Sequence, residues 1–153
     1  MIREATHADI PILTKGIIEF LSGVGLEEVG LVPDSETIEF FVQDCIDMDG
    51  YTFLVAEEDN QIVGGIVGCV IPWEFNANIM ALVEKGWFVP KEFRAKYGMA
   101  AMRLRKRFHQ WGKEQGATVL CMVSTKREES PRVMQMYEKS GLKLIDSNFI
   151  GRL

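Results

Sequence analysis

Apolar residues change their spacing several times along this chain, and each change predicts an element. Ile10, Leu13, Ile17, Leu21 and Val24 recur at steps of three and four, the stripe of an amphipathic helix. Ahead of it, Thr6 and Asp9 have capping-box spacing, and Pro11 fits only the first turn. Gly23 and Gly25 end the helix, and residues 2–5 form a short strand before it. Residues 25–33 read as a loop with apolar points at Leu26, Val29 and Leu31, which are placed to line the mouth of a site. A second helix starts at Asp34 or Ser35, with Ile38, Phe41, Val42 and Cys45 as its stripe, and fades at 48–50. The period then shortens. Residues 51–57 alternate as a strand does, Asp59-Asn60 is a turn, and residues 62–71 are nearly all apolar with three glycines. That composition predicts a buried central strand that something approaches closely. Asn76-Ala77-Asn78 reads as the next turn, and residues 79–89 as the strand after it.

The chain is organised around residues 86–104, GWFVPKEFRAKYGMAAMRL. Pro90 cannot donate to a sheet ladder, so the strand stops there and a basic loop follows. Past Gly98 the helical spacing returns with Ala101, Leu104, Phe108 and Trp111, and Gly116 closes the helix. A strand that feeds a helix through such a loop leaves the first helical N–H groups unpaired at the positive end of the dipole. That is an anion site, and Gly98 lets the anion approach the backbone. Residues 117–124 then read as a buried strand, parallel to the preceding one across the helix. Ser130-Pro131 starts a last helix, with Val133, Met136, Tyr137 and Ser140 on its inner side and Gly141 at its end. A final strand is expected at about 142–150.

With 153 residues and 47% apolar content, the chain reads as one domain, 1–153, with a real core. No apolar run approaches the roughly 20 residues of a membrane span, and the N-terminus lacks an apolar signal core. Cys45, Cys69 and Cys121 are odd in number and sit among apolar neighbours, so they read as reduced, buried thiols of a cytoplasmic protein. With two histidines, His7 and His109, and no ligand spacing, no metal is expected; His109 reads as a solvated surface residue.

Charge is unevenly spread. The chain carries −5 overall, yet residues 91–113 hold eight Lys/Arg and one acid, Glu92. Residues 1–62 hold fourteen acids against Arg3 and Lys15. An acidic surface of this kind draws a cationic ligand; one that merely keeps the protein soluble explains the same count. A nucleic-acid patch in the basic window is set aside, because the chain is acidic overall. Neither a membrane partner nor a nucleic acid is expected, and a homodimer is the base-rate expectation for the assembly.

Two stretches carry a resemblance to a known family. Ala95-Lys96-Tyr97-Gly98-Met99-Ala100 resembles the phosphate-binding motif (Gln/Arg)-x-x-Gly-x-(Gly/Ala) of the GNAT-type N-acyltransferase superfamily, with Ala95 at the first position and Arg94 one residue early. Residues 130–142, SPRVMQMYEKSGL, resemble the same family's Asn-x-x-Ala-x-x-Leu-Tyr-Glu-Lys-x-Gly-Phe, with Ser130 in the Asn position and Leu142 in that of Phe. The predicted order β-α-α-β-β-β-α-β-α-β is also that family's, over the whole chain.

The resemblance implies an α/β fold with a mixed central sheet and about four flanking helices. It implies acetyl transfer from acetyl-CoA to a primary amine of a small molecule or protein, by direct attack in a ternary complex. The coenzyme would lie between the strand ending at Val89 and the strand starting at Ala117. Its pantetheine would pair with backbone at Trp87, Phe88 and Val89, and its pyrophosphate with amides of Arg94, Ala95, Lys96, Tyr97, Gly98, Met99 and Ala100. Ser130 would reach the coenzyme or simply cap its helix. Tyr137 takes the position of the family's acid for the departing thiolate, and Glu84, an acid inside an apolar strand, is the candidate base. The other reading is a non-catalytic acyl-CoA-binding or interaction module on the same fold. A polyamine, an aminoglycoside, a lysine side chain and a protein N-terminus stay equally open as acceptor.

Overall fold

The computed structural model describes residues 1–124 and 130–145, for Ser130 the backbone alone. Among the described residues five strands form one sheet in the order β1-β2-β3-β4-β5. They are β1 (Ile2–Glu4), β2 (Tyr51–Glu58), β3 (Gln61–Trp73), β4 (Asn76–Phe88) and β5 (Val119–Cys121). Pairing is antiparallel except between β4 and β5, which run parallel across the helix that joins them. The helices are α1 (Ile10–Ser22), α2 (Ser35–Asp47), α3 (Lys91–Glu114) and α4 (Ser130–Lys139). A mixed sheet flanked by four helices is the architecture expected from the sequence.

Each face of the sheet has its own core. On one side Leu54, Val63, Ile66 and Leu82 pack with Ala100, Leu104, Phe108 and Trp111 of α3. On the other, Phe53, Val55 and Val67 pack with Leu13 of α1 and with Ile38, Val42 and Cys45 of α2. A sheet covered on both faces explains why β3 is apolar at nearly every position rather than at alternate ones. Its glycines mark close approaches. A Cβ at Gly68 would lie 2.3 Å from the Val83 carbonyl oxygen and 2.6 Å from the Phe108 ring.

Local signals set the helix ends. Asp9 Oδ2 accepts from the Thr6 N–H at 2.8 Å, and Asp34 Oδ2 from the Thr37 N–H at 2.7 Å. At the end of α4, Gly141 is left-handed (φ 85°), and the Leu142 N–H reaches the Tyr137 carbonyl at 3.1 Å in a Schellman arrangement. Asp59 and Asn60, both with positive φ, form a tight two-residue β2–β3 turn.

Several expectations need correction. The β3–β4 turn lies at Glu74-Phe75, because Trp73 pairs with Asn76; Asn76 instead accepts from the Asn78 N–H within the strand. The basic segment after Pro90 is helical rather than a loop, since residues 91–97 contain no glycine or further proline to interrupt α3. The strand expected at 117–124 is ordered as strand only over Val119–Cys121, and it is partly exposed. Cys121 is exposed while Cys45 and Cys69 are buried. His109 is half-buried; its Nε2 is buried with no hydrogen-bond partner among the described residues, and burial beside Arg105 and Lys113 lowers its pKa. Residues 142–145 carry no strand, and the rest of the expected final strand lies outside the described residues. Among the described residues, no helix is long and apolar enough to cross a membrane.

Candidate active site

The site grows from a break in the pairing of β4. Val67 of β3 pairs with Gly86, but Gly68 pairs with Glu84, so Lys85 is an extra residue, a β-bulge. A bulge exchanges the two faces of a strand. Without it Phe88 would share the face of Leu82. Instead Trp87 packs with Leu82 on the α3 side, and Phe88 packs on the α1–α2 side.

β4 also runs on beyond its partner. Pairing with β5 ends at Val83 and Cys121, and the two strands then part. The gap is a cleft of about 370 Å³. Gly86, Trp87 and Phe88 of β4, with Val89 just past it, form one wall, Val123 and Ser124 past β5 the other. Val133 and Tyr137 of α4 close it from one side, Gly98 and Ala101 of α3 from another, and Phe20 of α1 reaches in. The lining is mostly apolar, with Glu84, Lys85 and Arg94 as its charged residues.

Glu84 is 4% exposed and has no cationic partner among the described residues. Burial pushes its carboxyl up to about 7, and a hydrogen bond from the Val123 N–H to Oε2 at 2.8 Å pulls the other way. Opposite it, Tyr137 is 8% exposed, and its hydroxyl donates to the Val123 carbonyl at 3.1 Å. Burial, and then the Glu84 charge, raise the Tyr137 pKa, so this phenol stays protonated. Glu84 can thus take a proton near neutral pH, while the Tyr137 hydroxyl remains a hydrogen-bond donor. Among the described residues no three metal-ligating side chains come together.

The candidate residues divide. Glu84, Trp87, Phe88, Val89, Arg94, Gly98 and Tyr137 meet at the cleft. Arg94 Nε donates to the Val89 carbonyl at 2.9 Å, tying α3 to the end of β4. Ala100 instead belongs to the core, Met99 is exposed, and Ala95 does not line the cleft. Lys96 and Tyr97 direct their side chains to Asp59. The amides expected in a loop lie within α3, whose backbone leaves helical values at Tyr97 (φ −120°, ψ 26°). At Gly98 a Cβ would meet nothing within 4 Å, so the backbone there faces open space. The Ser130 side chain lies outside the described residues.

Sequence reasoning missed Phe20, Ala101 and Val123. Phe20 stands one position off the α1 stripe, which is the signal an aromatic facing a second surface leaves. Val123 acts through its backbone and leaves no side-chain signal. Leu26, Val29 and Leu31 are absent from the cleft.

Three solved structures illustrate what the chain is similar to. The ribosomal-protein-alanine N-acetyltransferase of Brucella melitensis biovar Abortus 2308 is 16% identical, with TM-score 0.71 over 100% of this chain and 99% of that one. A predicted acetyltransferase with acetyl-CoA from Clostridium acetobutylicum is 18% identical, with TM-score 0.71 over 98% and 94%. An aminoglycoside acetyltransferase in complex with sisomicin, from an uncultured soil metagenomic sample, is 17% identical, with TM-score 0.68 over 100% and 95%. No curated protein matches the sequence. At these identities the likeness is one of fold. The family model for the Acetyltransferase (GNAT) family matches residues 20–142, most of the chain, and this protein therefore belongs to the GNAT acetyltransferase family.

Proposed function

We propose that this protein is an acetyl-CoA-dependent N-acetyltransferase acting on a primary amine in a ternary complex. The observation that carries the reading is the pairing of Glu84 and Tyr137 in one cleft, on the two backbone groups of Val123, with Glu84 raised to about 7, where it can take a proton near neutral pH, and Tyr137 kept as a protonated donor. Features of the cleft support a coenzyme site. Beyond Val83 the β4 backbone has no β5 partner, and Gly98 and Arg94 stand where the cleft meets α3. Trp87, Phe88 and Val89 would hold the pantetheine, and Arg94 and the Gly98 backbone the phosphates.

Bound acetyl-CoA supplies an acyl group activated as a thioester, whose carbonyl carbon bonds to the amine nitrogen as its carbon–sulfur bond breaks. Glu84 takes the proton that the attacking ammonium or amine must lose. Tyr137 gives its hydroxyl proton to the departing sulfur, exchanging the Val123 carbonyl for the thiolate as hydrogen-bond partner. Glu84 returns its proton through solvent, which restores the phenol and balances the cycle. The apolar walls keep the amine neutral and exclude water. The amine acceptor is the open substrate, and the acid-rich first 62 residues favour a cationic one. Free thiols at Cys45 and Cys69 fit work in the cytoplasm.

The test is release of free CoA from acetyl-CoA in the presence of a panel of amines: a polyamine, an aminoglycoside, a lysine peptide and a peptide with a free N-terminus. Release that depends on one class supports the reading. CoA binding with no transfer to any of them would instead establish a non-catalytic acyl-CoA-binding module.

A further inference from the structure

The β2–β3 turn reaches across to α3 on both sides of its bend. Asp59 holds the first left-handed position of that turn (φ 49°). Its Oδ2 accepts from the Tyr97 hydroxyl at 2.6 Å and from Lys96 Nζ at 3.0 Å. The Lys96 ammonium lies 4.6 Å from the centre of the Tyr97 ring. Next to Asp59, Glu58 receives Arg103, further along α3. Tyr97 is also the residue at which the α3 backbone departs from the helix (φ −120°, ψ 26°).

Helical spacing separates two rows of side chains here. Phe93, Tyr97, Ala100 and Leu104 face the core, and the rings of Phe93 and Tyr97 lie 6.0 Å apart. Arg94, Gly98 and Ala101 form the neighbouring row, and all three line the cleft. The bend at Tyr97 and the α3 wall of the cleft therefore belong to one segment. A single exposed ion pair weighs little. Here a phenol bond, an ammonium and a ring contact converge on one residue whose backbone is already off the helix.

We propose that Asp59 is a positioning residue for the coenzyme: through Tyr97 and Lys96 it fixes the bend of α3 that presents Gly98 and Ala101 to the cleft. Asp59 does not line the cleft and acts only through those two side chains. The proposal rests on the coenzyme reading above.

The experiment is calorimetric titration of CoA, and of pantetheine, which lacks the phosphates, into wild type, Asp59→Asn, Asp59→Glu and Tyr97→Phe, with thermal midpoints for each. Tyr97→Phe keeps the ring packing and removes only the hydroxyl bond, so it guards against a variant that fails to fold. Asp59→Asn and Tyr97→Phe are expected to bind CoA about fivefold more weakly. Pantetheine binding stays unchanged, and Asp59→Glu recovers part of the loss. Equal or tighter CoA binding in both variants overturns the proposal, and so does a loss shared equally by pantetheine that follows a fall in thermal midpoint. Wild type that binds neither ligand overturns the coenzyme reading itself, and the role of Asp59 with it.

Discussion

Glu84 and Tyr137 hold the same residue from its two backbone ends: the Val123 N–H donates to Glu84 Oε2 at 2.8 Å, and the Val123 carbonyl accepts from the Tyr137 hydroxyl at 3.1 Å. β4 and α4, far apart in sequence, are set against each other across one peptide segment. The two side chains that the proposed chemistry uses thereby line the same cleft.

Replacing Tyr137 by Phe keeps the ring in place and removes the proton. Turnover with an identified acceptor should fall by about a hundredfold or more. CoA binding should persist, and stability should drop only by about 1 kcal/mol for the lost bond to Val123. Initial rates and CoA titration together check this; unchanged turnover would remove Tyr137 from the mechanism.

Glu84 links stability to pH with a defined sign. Its carboxyl holds a proton up to about 7 in the folded chain, against 4.5 for the ordinary group. Between those values the folded state binds the extra proton, so stability falls as pH rises through the window, and the full cost stands above it. Glu84→Gln has no charge to bury and keeps an acceptor for the Val123 N–H. Relative to wild type it should gain stability on the order of 3 kcal/mol at pH 8 and nothing near pH 4. Turnover should be lost. Thermal melts across this pH range decide the matter, and a gain of the same size at both ends would mean that Glu84 is ionised throughout.

Gly68→Ala tests the close approach behind the site. The added methyl would meet the Val83 carbonyl and the Phe108 ring, neither of which yields without moving β4 or α3. A loss of about 1–3 kcal/mol is expected. A drop in turnover should accompany it, because Val83 adjoins Glu84. Denaturant midpoints measure the first effect and initial rates the second.

Thiol chemistry separates the cysteines. Cys121 is exposed, whereas burial pushes the Cys45 thiol up to about 12 and raises that of Cys69. A chromogenic disulfide at pH 8 should react at once with a single thiol of the folded protein and with all three only after unfolding. Serine at position 121 should abolish the fast phase.

The parts of this fold that the sequence made legible are those governed by near neighbours. Thr6 with Asp9, and Gly141 after α4, are local devices that appear where the spacing placed them, and of the two starts open for α2 it is Asp34 that caps the helix. Glu84 and Tyr137 were visible because an acid in an apolar strand and a tyrosine in a family motif stand out. The bulge at Lys85 was not visible, because it is a property of the pairing between β3 and β4 and of neither strand alone. The start of α3 was obscured by Gly98: that glycine drew the helix start forward, although Pro90 followed by six residues that all tolerate helix already marks one. His109 was misjudged because burial at a helix edge depends on what packs over it.

Among the described residues, three residue pairs join β5 to β4, whereas β3 and β4 share nine. A seam this short opens at a small fraction of the cost of melting the sheet. Val123 stands just past it, so parting the seam separates Val123 from Glu84 and lifts Leu120 and Met122 off the α3-side core, while the α1–α2 core stays packed. On mild warming, loss of the proposed activity should therefore precede unfolding.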